Sequence, residues 1–168
     1  MADTPASSTN SPDHTSVRRS VEVDADPEVV WELVVDDDER STWFGGESEL
    51  EIAPGGAGRF TDPDGTRREA VVDDVRPGRR LTWTWWPETG EPAGEPPVDA
   101  TTVTIDLSPR PGGSRITVTE TVIRASAAWD PGRSDAGGAP TFAVTDRLLE
   151  LEHVLLLRSS PTLALTVR

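Results

Sequence analysis

The stretch that decides the fold is VRRSVEVDADPEVVWELVVDDDERSTWFG, residues 17–45. In its opening, residues 17–23, one row of alternate positions holds Val17, Arg19, Val21 and Val23 and the other is polar, which is the period of two typical of a β-strand. Asp26 and Pro27 come next. They suit a helix start, because aspartate accepts a hydrogen bond at the N-cap and proline fits the first helical position. The apolar spacing that follows predicts a helix over residues 27–35.

Four consecutive acids, residues 36–39, follow this helix directly. Contiguous carboxylates can surround a metal ion, but negative charge is also favoured at the N-terminus of a helix. We interpret the run as the N-terminal cap of a second short helix over residues 37–44. The pair Gly45-Gly46 is predicted to end that helix.

Beyond the two helices, the chain is a series of apolar segments separated by turn signals. Pairs such as Asp64-Gly65 and Gly112-Gly113 lie at the breaks, where a turn needs special backbone angles. Short connections between consecutive strands favour an antiparallel meander. The predicted strands span residues 47–53, 58–61, 66–75, 79–86, 100–107 and 115–123.

Helical spacing returns over residues 142–158. One side of this segment carries the apolar residues Val144, Leu148, Leu151 and Leu155. Such a stripe is expected to pack against the sheet. We therefore predict an α+β domain over residues 16–158, in which a curved antiparallel sheet of six to seven strands surrounds a C-terminal helix and two short helices follow the first strand.

Three segments lie outside this pattern. Residues 1–15 are polar and are predicted to form a disordered tail, since they bury too little apolar surface to offset the entropy of ordering. Residues 125–141 are rich in glycine and proline, and we interpret them as a mobile segment near the mouth of a pocket. The last segment, residues 159–168, fits either an added edge strand or a further helical turn.

The composition excludes several functions. The chain has 168 residues, enough for one domain with tails, and no cysteine, so disulfides and thiolate metal sites are excluded. A net charge of -14 disfavours nucleic acids and anionic membranes as partners, and it fits either salt adaptation or a GC-rich genome. We find no apolar run of membrane-spanning length and no secretory pattern. We therefore expect a cytoplasmic protein that is a monomer or a weak homodimer.

No metal or cofactor site is predicted. The two histidines, His14 and His153, lack the spacing of metal ligands, and His153 is expected on the exposed side of its helix. The glycine-rich run at residues 55–58 joins two predicted strands. It is followed by neither a helix nor a lysine, unlike a phosphate-binding loop.

Several stretches resemble the START-like helix-grip proteins, and within them the family related to the Hsp90 ATPase activator. The opening stretch is similar to that family's first strand and helix pair. APGGAGRF at residues 53–60 and VVDDVRPGRRLTWTW at residues 71–85 resemble its central hairpins, and residues 101–121 resemble its penultimate strand pair. The resemblance covers residues 17–123. It implies a helix-grip fold that encloses a pocket for an apolar small molecule.

The predicted ligand-binding residues are Trp43, Phe44, Arg59, Trp83, Trp85 and Glu120. The four aromatic residues are candidate walls of the pocket. Glu120 shares a strand face with apolar neighbours, so its pKa is expected to be raised and it is a candidate acid, base or ligand anchor. The alternatives are that Glu120 pairs with an inward arginine such as Arg59, or that it faces the open rim.

These observations predict a binding protein for an apolar or aromatic small molecule, with no catalytic constellation identified. Two alternatives stay open. The first is a polyketide cyclase-like or hydrolase-like enzyme that uses the same cavity. The second is an interaction module similar to an Hsp90 co-chaperone, which the family resemblance alone suggests.

Overall fold

The computed structural model describes residues 15–88, 99–124 and 143–159. Within these ranges the chain forms seven strands and three helices in the predicted order. The elements are β1 (Thr15–Val23), α1 (Pro27–Val35), α2 (Asp37–Phe44), β2 (Glu47–Leu50), β3 (Ala57–Thr61), β4 (Arg67–Arg76), β5 (Arg80–Pro87), β6 (Asp99–Arg110), β7 (Gly113–Arg124) and α3 (Ala143–Ser159). The segments predicted as a disordered tail, as a mobile loop and as a C-terminal extension lie outside the described residues, apart from Thr15 and Ser159.

The strands form one curved antiparallel sheet. Their order is β1-β7-β6-β5-β4-β3-β2. The first strand pairs with the last one and forms one edge of the sheet, and β2 forms the opposite edge. The register between β4 and β5 shifts between Val72 and Asp74, an irregularity of the kind that bends a strand. The α+β meander predicted from the alternation pattern is confirmed.

Helix α1 begins at Pro27 as predicted, but the Asp26 side chain makes no capping hydrogen bond, so proline at the first helical position marks this start. Local capping explains the bounds of α2. Asp36 is the N-cap of α2, and its side chain accepts a hydrogen bond from the Glu39 backbone N–H at 3.0 Å. The acidic run therefore caps a helix, as the sequence suggested. Gly45 ends α2 with a φ of 78°, a left-handed conformation that glycine adopts without the penalty of a Cβ.

The C-terminal helix packs its apolar stripe on the concave side of the sheet. The predicted stripe residues Val144, Leu148, Leu151 and Leu155 are all buried. Helix α3 contacts β1, β7 and α2, which places it across the opening of the curved sheet. In the ranges described, no helix has both the length and the apolar character needed to cross a lipid bilayer.

Arg40 joins α2 to its surroundings from a fully buried position. Its guanidinium donates to the Ser48 hydroxyl at 2.9 Å and to the Val34 carbonyl at 3.0 Å, and it forms an ion pair with Asp37. Burial lowers the pKa of Arg40, and the neighbouring Asp37 carboxylate acts in the opposite direction. These bonds fix α2 against α1 and β2, so the position of Phe44 at the end of α2 is well defined.

Candidate functional site

Aromatic rings fill the centre of the concave face. Phe44, Phe60, Trp83 and Trp85, which we call the aromatic cluster, are buried, and each ring contacts at least two of the others. Phe60 stacks on Trp83 with ring centroids 5.8 Å apart, and it meets Trp85 edge to face at 5.1 Å. These contacts place three of the predicted wall residues together, and they add Phe60 to the set.

The fourth predicted wall residue has a different role. Trp43 is buried, and its indole N–H donates to the Leu33 carbonyl at 2.8 Å, which ties α2 to α1. In contrast, the indole nitrogens of Trp83 and Trp85 are buried and have no hydrogen-bond partner among the described residues. A buried donor without an acceptor costs about 1–3 kcal/mol, so two such groups side by side are unusual in a folded protein.

Glu120 is fully buried, as the strand pattern suggested, and it lies in the same row of the sheet as Trp83. The register pairs Trp83 with Val103 and Val103 with Glu120, which separates the two by two strand spacings, or about 10 Å. Its carboxylate accepts hydrogen bonds from the backbone N–H groups of Val144 at 3.3 Å and Thr145 at 2.7 Å. Glu120 therefore satisfies two of the free N–H groups that begin helix α3.

Two opposing influences act on the charge of this carboxylate. Burial raises the pKa of Glu120 above the ordinary glutamate value, while the hydrogen bonds from Thr145 and Val144 act to lower it. The nearby Asp146 adds a smaller effect in the direction of burial. The predicted rise in pKa is thus found, and its main cause is desolvation.

The structure corrects the position expected for Arg59. Its side chain is exposed, and it lies on the outer row of the sheet between Glu49 and Glu69, so it is not the inward partner of Glu120. Its neighbour Phe60 points inward instead, because successive side chains of a strand alternate between the two faces. Arg59 lines surface clefts of about 540 and 660 Å³ near the edge strand β2.

A different arginine reaches the aromatic cluster. The Arg68 guanidinium lies 4.7 Å from the centre of the Trp85 ring, a cation–π distance. It donates through Nε at 3.0 Å and Nη2 at 2.7 Å to the Oδ2 atom of Asp62. Both side chains are about nine-tenths buried. The Oδ1 atom of Asp62 is also buried and has no hydrogen-bond partner in the ranges described.

A groove of about 320 Å³ leads from the surface to this region. It lies between the end of α2, the β3–β4 turn and the first turns of α3, and we call it the α3 groove. Its lining residues are Phe44, Asp62, Pro63, Asp64, Ala143, Asp146, Arg147 and Glu150. Phe44 belongs both to this groove and to the aromatic cluster, because its ring centroid lies 6.2 Å from that of Trp85. Phe44 is the only ring of the cluster that lines the groove, and the predicted wall residues Trp83 and Trp85 are buried behind it.

Sequence reasoning named neither Asp62 nor Arg68 as a site residue. Arg68 carries one available signal, since it stands two residues before Ala70 on the apolar face of β4. Asp62 directly follows β3 and stands two residues after the buried Phe60, so the same alternation was available for it. Within the ranges described, no three His, Asp or Glu side chains are grouped so that they could hold a metal ion.

This architecture, a curved antiparallel sheet with two short helices after its first strand and a C-terminal helix across its opening, is the helix-grip fold of the START-like proteins. The model of the family described as activator of Hsp90 ATPase homolog 1-like protein matches residues 24–145. The chain belongs to that family. No curated protein matches the sequence significantly.

Solved structures give the same fold. The chain is similar to a protein from Rhizobium leguminosarum, with 21% identity, a TM-score of 0.63 and coverage of 86% of this chain and 96% of the other. It is similar to Ara h 8.0201, with 16% identity, a TM-score of 0.58 and coverage of 86% and 99%. It is also similar to DynU16, a protein of the dynemicin biosynthetic locus, with 27% identity and a TM-score of 0.62, covering 84% of this chain and 47% of DynU16.

Proposed function

We propose that this protein binds a small aromatic molecule, which enters through the α3 groove and lies among the rings of the aromatic cluster. The observation that carries the proposal is the pair of buried indole N–H groups of Trp83 and Trp85, for which the described residues offer no acceptor. A ligand with an aromatic body and a carbonyl or ether oxygen supplies both ring contacts and the missing acceptor.

The surroundings of the cluster support an aromatic occupant. The rings already meet one another in stacked and edge-to-face geometry, so a planar ligand can replace one ring contact by another of the same kind. Phe44 lies at the end of α2, beside the groove, and is the ring that a ligand meets first. Because Trp85 is fully buried, the ring of Phe44 must turn aside for a ligand to reach it.

Binding without catalysis is the function we favour for this arrangement. Both carboxylate oxygens of Glu120 accept hydrogen bonds from the start of α3, so the group serves as a helix cap. Arg59, the other polar residue that the sequence offered, lies on the outer face. DynU16 belongs to a biosynthetic locus, and this likeness is compatible with a ligand of natural-product chemistry.

The test compares two naphthalenes of similar shape, 2-acetylnaphthalene and 2-isopropylnaphthalene. Binding is measured by quenching of tryptophan fluorescence and by the rise in melting temperature. We expect both compounds to bind, and the ketone to bind about 10-fold more tightly because its oxygen accepts an indole N–H bond worth about 1–1.5 kcal/mol.

Matched variants separate the indole contribution from general apolar binding. The double variant Trp83→Phe/Trp85→Phe is expected to lose the preference for the ketone, whereas Trp31→Phe on α1 keeps it. Each single variant replaces the double one if the latter does not fold. Equal affinity of wild type for the two compounds refutes the role of the indole groups, and failure of both to bind refutes the proposed function.

A further inference from the structure

The α3 groove has an unbalanced charge. Four carboxylates line it, on Asp62, Asp64, Asp146 and Glu150, with one guanidinium, that of Arg147. Two of the four also face arginines behind the lining: Arg68 binds Asp62, and Arg19 lies 3.8 Å from Asp146. Asp146 and Glu150 are exposed on α3, and Asp64 is exposed in the β3–β4 turn. The protein as a whole carries a charge of -14, so its field also draws cations toward such a concave surface.

Asp62 gives a second, independent indication. Its side chain is only 9% exposed, and both Arg68 donors go to one oxygen, Oδ2. The other oxygen, Oδ1, is buried without a partner in the part of the chain that the structure describes. A buried carboxylate oxygen is normally hydrogen-bonded, and the free one here lies in a side chain that lines the groove. An entering donor satisfies it.

The apolar part of the groove completes the pattern. Phe44 lines the groove and contacts Phe60 and Trp85, so a molecule held at Asp62 has its apolar body next to the aromatic cluster. Aromatic rings also attract cations over their faces, as the position of Arg68 on Trp85 demonstrates.

We propose that the α3 groove binds the protonated amine of an aromatic ligand whose ring system occupies the aromatic cluster. Asp62 accepts a hydrogen bond from the ammonium group, and the carboxylates of Asp146 and Glu150 attract it to the groove. This inference rests on the proposed function and narrows its ligand to aromatic amines. Such a ligand is an amphiphile with a cationic end at the protein surface and an aromatic end inside.

The experiment uses three probes on the same ring system, 2-naphthylmethylamine, 2-naphthylmethanol and 2-naphthoic acid. At neutral pH they are cationic, neutral and anionic, while their apolar area is nearly the same. Dissociation constants are measured by isothermal titration calorimetry on the full chain at low salt and at about 0.5 M salt, where charges separated by more than about 4–5 Å are largely screened.

We expect the amine to bind about 10-fold more tightly than the alcohol at low salt, and the acid to bind least, since charge-assisted hydrogen bonds are about twice as strong as neutral ones. High salt reduces the advantage of the amine without removing it, because the bond to the buried Asp62 is screened less than the exposed charges. Asp62→Asn is expected to bring the amine and the alcohol to similar affinity.

Two double variants with the same change of net charge control this result. Asp146→Asn/Glu150→Gln removes exposed carboxylates of the groove and leaves the buried Asp62–Arg68 pair in place. It is expected to weaken amine binding about 3-fold. Glu28→Gln/Glu32→Gln removes two exposed carboxylates from α1 and is expected to leave the preference unchanged. If the affinity for the amine falls equally in the two double variants, net charge alone attracts the amine and the proposed amine site is wrong.

The outcomes also separate this inference from the proposed function. If the alcohol and 2-acetylnaphthalene bind but the amine has no advantage over the alcohol, the amine site is wrong and the aromatic binding function stands. If no naphthalene compound binds to wild type, both are wrong.

Discussion

Replacing Glu120 by alanine tests the structural account most directly, because a single carboxylate holds the start of α3. The substitution removes the acceptor of the Val144 N–H at 3.3 Å and of the Thr145 N–H at 2.7 Å, both buried. A buried donor without a partner costs about 1–3 kcal/mol. The variant no longer buries a carboxylate, which offsets part of that loss. We therefore expect Glu120→Ala to reduce the free energy of unfolding by about 2–3 kcal/mol.

For a chain of this size, 1 kcal/mol corresponds to about 2–4 °C in melting temperature, so the expected decrease is about 5–10 °C. Urea denaturation followed by far-ultraviolet circular dichroism gives the free energy directly. Glu120→Gln keeps one acceptor oxygen and is expected to lose about 1 kcal/mol. Glu47→Ala, an exposed carboxylate on β2, is the control and should change stability by less than about 0.5 kcal/mol. A Glu120→Ala variant as stable as this control refutes the capping role.

Three further predictions concern buried polar groups. Because burial raises the pKa of Glu120, wild type should lose stability relative to Glu120→Gln as the pH rises from the ordinary glutamate value to the raised one, with no further change above it. Urea titrations across this pH range measure the difference, and a constant difference contradicts it. Arg40→Met should lower the free energy of unfolding by about 3–5 kcal/mol, because it removes the donor of a buried hydrogen-bond network. Exposed Arg79→Met should change it little, and urea denaturation measures both. Trp43→Phe, which loses a hydrogen bond to α1, should cost about 1 kcal/mol more than Trp83→Phe, and equal losses in melting experiments refute this contrast.

The fold was predictable because its signals are local. Helix α1 begins at Pro27, whose fixed φ suits the first helical turn, and α2 ends before the left-handed Gly45, so both signals lie next to the helix they bound. The alternation of apolar residues likewise reports a strand from its own side chains. Such features need no knowledge of distant parts of the chain, so the sequence alone located them to within a few residues.

The candidate site was only half predictable because its contacts are distant in sequence. The alternation of side chains along the strands identified Trp83, Trp85 and Glu120 as inward, and each of them is buried. The same alternation shows that Arg59 and Phe60 lie on opposite faces, but not which of the two is inward. Here the pairing with β4 decides, since it turns Phe60 toward the core. The cap that Glu120 provides for α3 joins residues 24 positions apart, and no periodicity encodes such a contact.

The energetics of the aromatic cluster determine what kind of ligand it can accept. Each aromatic ring buries roughly 150–250 Å², so fully exposing one costs about 4–6 kcal/mol at about 25 cal/mol per Å². A ligand that pushes a ring into water must regain that amount, whereas a planar ligand that slides between two rings leaves both of them covered. Apolar area alone therefore favours flat aromatic molecules without distinguishing among them. Discrimination must come from polar atoms for which the described residues offer no partner, among them the indole nitrogens of Trp83 and Trp85 inside and the Oδ1 of Asp62 at the groove. A hydrocarbon gains only the area, and a ligand with an acceptor at one end and an ammonium at the other gains the hydrogen bonds as well.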